Sequence, residues 1–205
     1  VNKIGKLKAI VACSPEGIIA ANGDMPWHVS EDLRRFKRLT VNNVVIYGRG
    51  TWVSFNKKAL PDRINFMVST TTGFSDIANT TVVNYHDLDA AISCGQIKYP
   101  DKDLWIIGGA SIYRQTLPIV DELYLTIINP EQVRYGEIED DNVLYLPGYP
   151  NFINKTFTLD TEEVTQCATY RKYIRKTTDF RNPTRSTFAQ AKTKSIKDFS
   201  PNYIV

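Results

Sequence analysis

The sequence predicts an α/β fold. It is expected to have three layers, with a central, mostly parallel mixed sheet of about eight strands, an antiparallel C-terminal strand, and about four flanking helices. Three observations predict this. Short apolar runs alternate with amphipathic stretches through the first two-thirds of the chain. Several runs are apolar at every position, as strands covered on both faces must be. The last third carries strand-like segments with no helix between them, so the end of the sheet is expected to be antiparallel.

Leu7–Cys13 (LKAIVAC) reads as a buried first strand, ended by the turn residues Ser14-Pro15-Glu16-Gly17. Residues 18–24 read as a mixed loop with a turn at Asn22-Gly23. The loop leads into residues 25–40, MPWHVSEDLRRFKRLT, the expected first helix. Ser30 is the expected N-cap, which puts Glu31 and Asp32 in the first turn, where free N–H groups and the helix dipole favour negative charge. Asp32 and Phe36 are i and i+4 and share a face with Leu33 and Leu39 beside it, while Arg34, Arg35, Lys37 and Arg38 mostly occupy the rest of the circumference. Asp32 therefore points the same way as an aromatic ring, although a first-turn acid is ordinary helix chemistry and needs no ligand to explain it.

Residues 44–47 (VVIY) form the second expected strand, broken by Gly48 before a helix over residues 49–56. Residues 64–69 give a third strand running into a hydroxyl-rich turn at Thr70-Thr71-Thr72-Gly73, and residues 81–84 a fourth. His86-Asp87 can cap a helix that places Leu88, Ala91 and Ile92 on one face, with Gly95 as its stop. Residues 104–107 (LWII) are the most apolar strand, ended by Gly108-Gly109 at the start of a helix through Tyr113 to about Leu117. Residues 123–128, 156–164 and 167–175 complete the expected sheet, and residues 129–155 read as a long irregular excursion.

Composition narrows the function classes. With 205 residues, 42% of them hydrophobic, the chain can bury one sizeable core, and it has no apolar run long enough for a membrane helix. Its N-terminal apolar stretch is too short for a signal peptide, so a soluble, cytoplasmic protein is expected. The 3 cysteines (Cys13, Cys94, Cys167) are widely spaced and odd in number, and the 2 histidines (His28, His86) stand apart from them, so neither a disulfide framework nor a metal site is expected. The net charge of +3 resides in residues 177–205, where Arg181, Arg185, Lys192, Lys194 and Lys197 face only Asp179 and Asp198. The neutral body gives no reason to expect nucleic acid, and the basic tail is a candidate for contact with something acidic.

Two strand ends share one design: an apolar strand, a glycine, then a helix at once. In Ile107-Gly108-Gly109-Ala110-Ser111 the missing side chains let a ligand approach the backbone, and the N–H groups of the helix start suit a phosphate. In Tyr47-Gly48-Arg49-Gly50-Thr51 the same design adds a guanidinium suited to phosphate. Neither is a G-x-G-x-x-G fingerprint, and each alone has a purely structural explanation in turn geometry. Together with the hydroxyls of Ser69 to Thr72, on parallel strands ending along one sheet edge, they suggest a crevice for a dinucleotide with several phosphates.

In ACSPEGIIAANGDMPWHVSEDLRRFKRLT, VVIYGRGTW, LPDRINFMVS and LWIIGGASIYRQTLP, from Leu7 to Arg175, the chain resembles the dihydrofolate reductase family in order and spacing. The resemblance implies an NADPH-dependent oxidoreductase that reduces dihydrofolate. It implies that Asp32 is the pocket carboxylate, that Trp27 positions a water, and that Thr126 hydrogen-bonds near the carboxylate. Leu33, Phe36 and Leu60 correspond to the apolar wall around the pterin and aminobenzoyl rings, Ile10 and Ile107 to backbone carbonyls at the pterin edge, and Arg63 to the arginine that pairs with the substrate α-carboxylate. Ala12, Ile19, Met25 and Tyr113 match the nicotinamide surroundings, and Gly108, Gly109, Ala110 and Ser111 the pyrophosphate site. Gly48, Arg49, Thr51, Ser69 and Thr70 match the adenosine side, where Arg49 with Ser69 argues for NADPH over NADH.

The chain departs from the family pattern at Gly50, where many relatives place a basic or polar side chain, and at Tyr47, Ala20, Ser111 and His28. No catalytic group is removed, so activity with altered cofactor affinity is expected. Residues 1–176 are the expected catalytic domain and residues 177–205 a basic extension, in which Phe188, Ala191, Ile196 and Phe199 recur at roughly helical spacing. Two rival readings are a reductase fold acting as an interaction component that docks, or self-associates, through this extension, and a related reductase of riboflavin synthesis.

Overall fold

The computed structural model describes residues 5–71, 77, 80–138 and 140–177. The chain divides into two compact units, Val1–Arg175 and Lys176–Val205. The reading of residues 177–205 as a helical docking extension falls, except for Thr177, outside the described residues.

Val1–Arg175 is built on an eight-stranded sheet in the order β5-β4-β3-β6-β1-β7-β10-β9. Its strands are β1 (Leu7–Cys13), β3 (Val44–Gly48), β4 (Ile64–Val68), β5 (Val82–Tyr85), β6 (Leu104–Gly108), β7 (Glu122–Ile128), β9 (Phe157–Val164) and β10 (Ala168–Arg175). The first six in chain order run parallel, and β10 is antiparallel to both β7 and β9. The described helices are α1 (Ser30–Thr40), α2 (Arg49–Ser54), α3 (Leu88–Lys98), α4 (Ala110–Thr116) and α5 (Asn151–Thr156).

Alternation along the strands makes the three layers. Leu7, Ala9 and Val11 of β1, Val44 and Ile46 of β3, and Leu104 and Ile106 of β6 enter one apolar cluster with Ala91 and Ile92 of α3 and Ile112 and Leu117 at α4. The intervening residues Ile10, Val45, Tyr47, Trp105 and Ile107 enter a second cluster, against which Phe36 and Leu39 of α1 and Leu60 pack. Successive strand residues point to opposite faces, so near-continuous apolar runs feed both layers at once.

Several elements differ from expectation for identifiable reasons. Residues 18–24 are not all loop: β2 (Ile18–Ala21) pairs antiparallel with β8 (Val143–Tyr145), a partner more than 100 residues away in the stretch read as irregular. That stretch also holds three 3-10 turns and α5, which follows a cis Tyr149–Pro150 peptide. Val29, not Ser30, is the N-cap of α1: its backbone is extended, it makes no side-chain cap bond, and its carbonyl accepts from the Leu33 amide at 3.2 Å. α3 runs through Gly95 to Lys98 instead of stopping there. A side chain at Gly95 would put its Cβ 2.7 Å from Leu104 Cδ2, so this glycine serves close packing of α3 on β6. Asp87 caps α3 as expected, accepting from the Ala90 amide at 3.0 Å.

Candidate active site

The parallel strands β1, β3, β4, β6 and β7 present their C-terminal ends on one side of the sheet, and α1 crosses the face carrying Ile10, Trp105 and Ile107. In the first turn of α1, Asp32 turns toward β7, where Thr126 Oγ1 donates to Asp32 Oδ1 at 2.7 Å. Burial pushes the Asp32 carboxyl above the usual carboxylate range, only partly offset by the Thr126 hydrogen bond and the Arg35 charge. Met25, Trp27, His28, Val29, Asp32 and Leu33 line a cavity of ≈ 10 Å³. Trp27 is 4% exposed, and its indole Nε1 has no protein partner. The arrangement is a carboxyl with a raised pKa beside a small, largely apolar gap.

The apolar residues divide by depth. Ile10 and Ile107 are buried in the sheet, Phe36 and Leu60 are half-buried against them, and Leu33 and Met25 are exposed. Ala12 packs beside Trp27 and Val29, whereas Ile19 is buried in the cluster on the opposite face of the sheet. Tyr113 is buried, and its hydroxyl donates to the Ile10 carbonyl at 2.7 Å, so that carbonyl is held in place from below.

The two glycine junctions come together because β3 and β6 are parallel neighbours. A Cβ at Gly48 would lie 3.8 Å from Gly109 N, and one at Gly108, which has φ +128°, would lie 3.0 Å from Thr51 Oγ1. Side chains at Gly48 and Gly108 would press on Ile112 and Thr51, so the glycines let the two strand ends pack closely. Arg49 and Thr70 are exposed on this rim, as are Gly50 and Ser111, while Ser69 is buried and accepts from the Thr71 amide. Gly109 and Ala110 are half-buried at the start of α4.

Arg63 lies beyond the far end of α1. Its Nε donates to the Pro61 carbonyl at 2.9 Å, its Nη1 to Thr40 Oγ1 at 3.2 Å, and its guanidinium sits 5.8 Å from the Phe36 ring centre. Asn65, not singled out from sequence, organises this corner. It accepts from the Tyr47 hydroxyl and the Leu60 amide and donates to the carbonyls of Leu60 and Arg63. No local pattern marks a strand asparagine as such a hub, because its partners come from a neighbouring strand and a loop.

Residues 6–173 match the dihydrofolate reductase family profile. The dihydrofolate reductase of Mycobacterium leprae is 37% identical over 137 residues, which are 66% of this chain and 77% of that protein. The chain belongs to the dihydrofolate reductase family. It is thus an enzyme of the oxidoreductase class. The dihydrofolate reductase of the pea-aphid Buchnera aphidicola is 35% identical over 123 residues, 60% of this chain and 72% of its own length. Among solved structures, the dihydrofolate reductase from Enterococcus faecalis complexed with NADP(H) and RAB-propyl has the same fold. That likeness has a TM-score of 0.70 at 23% identity, and it covers 86% of this chain and 100% of that one.

Against the family resemblance, Asp32, Thr126, Trp27, Ile10 and Phe36 gather around α1, and Gly48, Thr51, Gly108 and Gly109 gather at the paired strand ends. Arg35, counted among the outward cations, is instead half-buried: its guanidinium lies 4.7 Å from the Tyr170 ring centre and 5.8 Å from that of Tyr124. Its place at i+3 from Asp32 was the available signal. Among the described residues, no group of three or more His, Cys, Asp or Glu side chains could hold a metal ion, and no helix is long and apolar enough to cross a membrane.

Proposed function

We propose that this chain reduces 7,8-dihydrofolate to 5,6,7,8-tetrahydrofolate with NADPH in the cytoplasm, supplying one-carbon and thymidylate metabolism. The observation that carries the reading is the Asp32 carboxyl, enclosed, held by Thr126 and inclined to keep its proton. A carboxyl with that bias suits a reaction that must deliver a proton at neutral pH.

Asp32 binds the 2-amino group and the N3 side of the pterin through a paired hydrogen bond. It also orients a water that carries the proton to N5. Trp27 steadies that water: it lines a cavity whose ≈ 10 Å³ is about the room one water needs, and its buried Nε1 has no protein partner. Leu33, Phe36 and Leu60 wall the pterin and aminobenzoyl rings, and the carbonyls of Ile10 and Ile107 meet the pterin edge. Arg63, whose fork is already aligned by Pro61 and Thr40, pairs with the substrate α-carboxylate.

The residues at the paired strand ends fit a dinucleotide, because Gly48, Gly108 and Gly109 put main chain free of side chains at the adjoining ends of two parallel strands. When bound, NADPH supplies the hydride that moves from nicotinamide C4 to pterin C6. Gly108, Gly109, Ala110 and Ser111 approach the pyrophosphate through their main chain. Arg49, Thr51, Ser69 and Thr70, with Gly48, take the adenosine side, and Ala12, Ile19, Met25 and Tyr113 surround the nicotinamide.

The test is NADPH oxidation followed with dihydrofolate and, separately, with an aminopyrimidine carrying a ribityl chain. Turnover of dihydrofolate alone is expected; turnover of only the ribityl compound would assign the chain to riboflavin synthesis. The basic charge of residues 177–205 favours a second role, docking onto a partner or a second copy. A chain lacking them should keep its turnover and lose that association.

A further inference from the structure

The loop between α2 and β4 carries Leu60 and Arg63, both assigned above to the substrate, and residues 58–63 belong to no helix or strand. Asp62 takes a left-handed backbone there, with φ 60°. Even so, all four carbonyls of residues 60–63 are satisfied. Arg63 Nε donates to the Pro61 carbonyl at 2.9 Å, and the Asn42 amide donates to that of Asp62 at 2.8 Å. The other two carbonyls, of Leu60 and Arg63, both accept from Asn65 Nδ2, each at 2.9 Å. Asn65 Oδ1 in turn accepts from the Leu60 amide at 2.9 Å.

Asn65 is 1% exposed and stands opposite Val45 of β3, on the sheet face that also carries Tyr47. Its fourth bond comes from that neighbour: the Tyr47 hydroxyl donates to Asn65 Oδ1 at 3.1 Å. Both amide protons and both lone pairs are then in use, the full capacity of the side chain. Tyr47 is itself buried, and its ring stands nearly perpendicular to that of Phe55 at the end of α2, with centres 6.0 Å apart. A buried amide saturated from a packed strand on one side and a loop on the other holds the loop in one arrangement.

We propose that Asn65, braced by the Tyr47 hydroxyl, is the positioning residue that makes this site select pterins whose arm ends in a carboxylate. It acts through the main chain of Leu60 and Arg63, and the inference rests on the assignment of those two residues to the substrate arm. The bonds to Leu60 hold the apolar wall in place. The bond to the Arg63 carbonyl fixes the backbone from which the guanidinium reaches, while Pro61 and Thr40 fix the guanidinium itself. Paired contact with a carboxylate needs the fork aligned, so a loosened loop costs recognition of the arm. The pterin end of the site is spared, because Asp32 lies in the first turn of α1 and Arg63 beyond its far end.

The experiment compares kcat and KM for dihydrofolate and for a dihydropterin bearing only a methyl group at C6, in the full chain and its variants, with a denaturant melt for each. Tyr47→Phe removes one hydroxyl and keeps the ring. It is expected to raise KM for dihydrofolate about 3- to 10-fold, the weight of one hydrogen bond, and to leave its kcat and both constants for the methyl compound in place. Asn65→Ala removes all four bonds and is expected to raise the same KM at least about 10-fold. With Arg63→Gln already present, most of either loss should vanish, because the group through which it acts is gone. Equal losses on both compounds, an unmoved KM for dihydrofolate, or full additivity with Arg63→Gln would overturn the proposal. A parent chain that turns over neither compound would overturn the reading of function and this inference with it, whereas a parent active on dihydrofolate with variants that lose equally on both would overturn the inference alone. Tyr47→Phe keeps the outcome readable if Asn65→Ala does not fold.

Discussion

Thr126 and Asp32 are 94 residues apart in the chain and 2.7 Å apart in the fold, hydroxyl to carboxylate oxygen. The bond exists because β7 lies beside β1 in the centre of the sheet and α1 crosses that face. Thr126 holds the carboxyl in place as well as favouring its ionised form, so Thr126→Val should raise the carboxyl's tendency to stay protonated and, through the lost positioning, cost about 10-fold in kcat/KM. Steady-state kinetics checks this, with a denaturant melt to show that the variant is folded under the assay conditions.

Asp32→Asn is expected to make the protein more stable at neutral pH. The folded-state pKa is raised, so the folded chain holds this proton to a higher pH than the unfolded chain does. Stability therefore falls as pH rises from the unfolded carboxyl value of about 3.9 through the folded one, and stays lowered above it. Asparagine can still accept from Thr126 and cannot ionise. A gain on the order of 1 kcal/mol at pH 7.5, vanishing in acid, is expected in urea melts.

Glu122 shows the opposite sign. Burial raises its pKa, but the hydrogen bond from Lys6 and the charge of Lys8 outweigh burial and hold it below the usual range. Its contribution is present above the unfolded value of about 4.3 and is lost as pH falls through the folded one. Glu122→Gln removes the partner of the exposed Lys6 and the farther of two partners of Lys8, which keeps Asp103 at 2.9 Å, so it should cost about 1.5 kcal/mol at pH 7. Denaturant titration at pH 7 and pH 3 should show that difference shrink.

Gly108→Ala should weaken NADPH binding at least about 10-fold and destabilise the fold by about 1–3 kcal/mol, since φ +128° strains any side chain and the new Cβ would sit 3.0 Å from Thr51 Oγ1. Gly50→Ala is the control: nothing lies within 4 Å of its Cβ position and its φ is not positive. Fluorescence titration with NADPH should separate the two.

Much of the sheet was legible because its strands are buried on both faces and their apolar runs are bounded by Gly and Pro, as at residues 104–109. The β2–β8 pair was not, because Ile18–Ala21 is 4 residues long and its partner lies in a stretch with no period. The acid of α1 was visible, yet its meaning was not: Asp32 as a first-turn acid and Asp32 as a pocket carboxyl look identical until Thr126 and Trp27 are placed beside it. Arg35 looked solvated because Arg34, Lys37 and Arg38 around it are, and only the tyrosines of β7 and β10 turn it inward. Asn65 had no signal at all, since its four hydrogen bonds are set by where a loop and a neighbouring strand happen to meet.

The most direct test of the account is NADPH oxidation with dihydrofolate, measured across pH for the parent chain and for Asp32→Asn. The parent rate should fall as pH rises through the titration of the substrate-bound site, because reduction at N5 needs a proton to be taken up there. Asp32→Asn, folded and still binding NADPH, should lose at least about 100-fold at neutral pH, the lower range for removing a positioned acid–base group, and lose that titration from its profile. A rate at pH 7 and a pH profile both unchanged in Asp32→Asn would contradict the account.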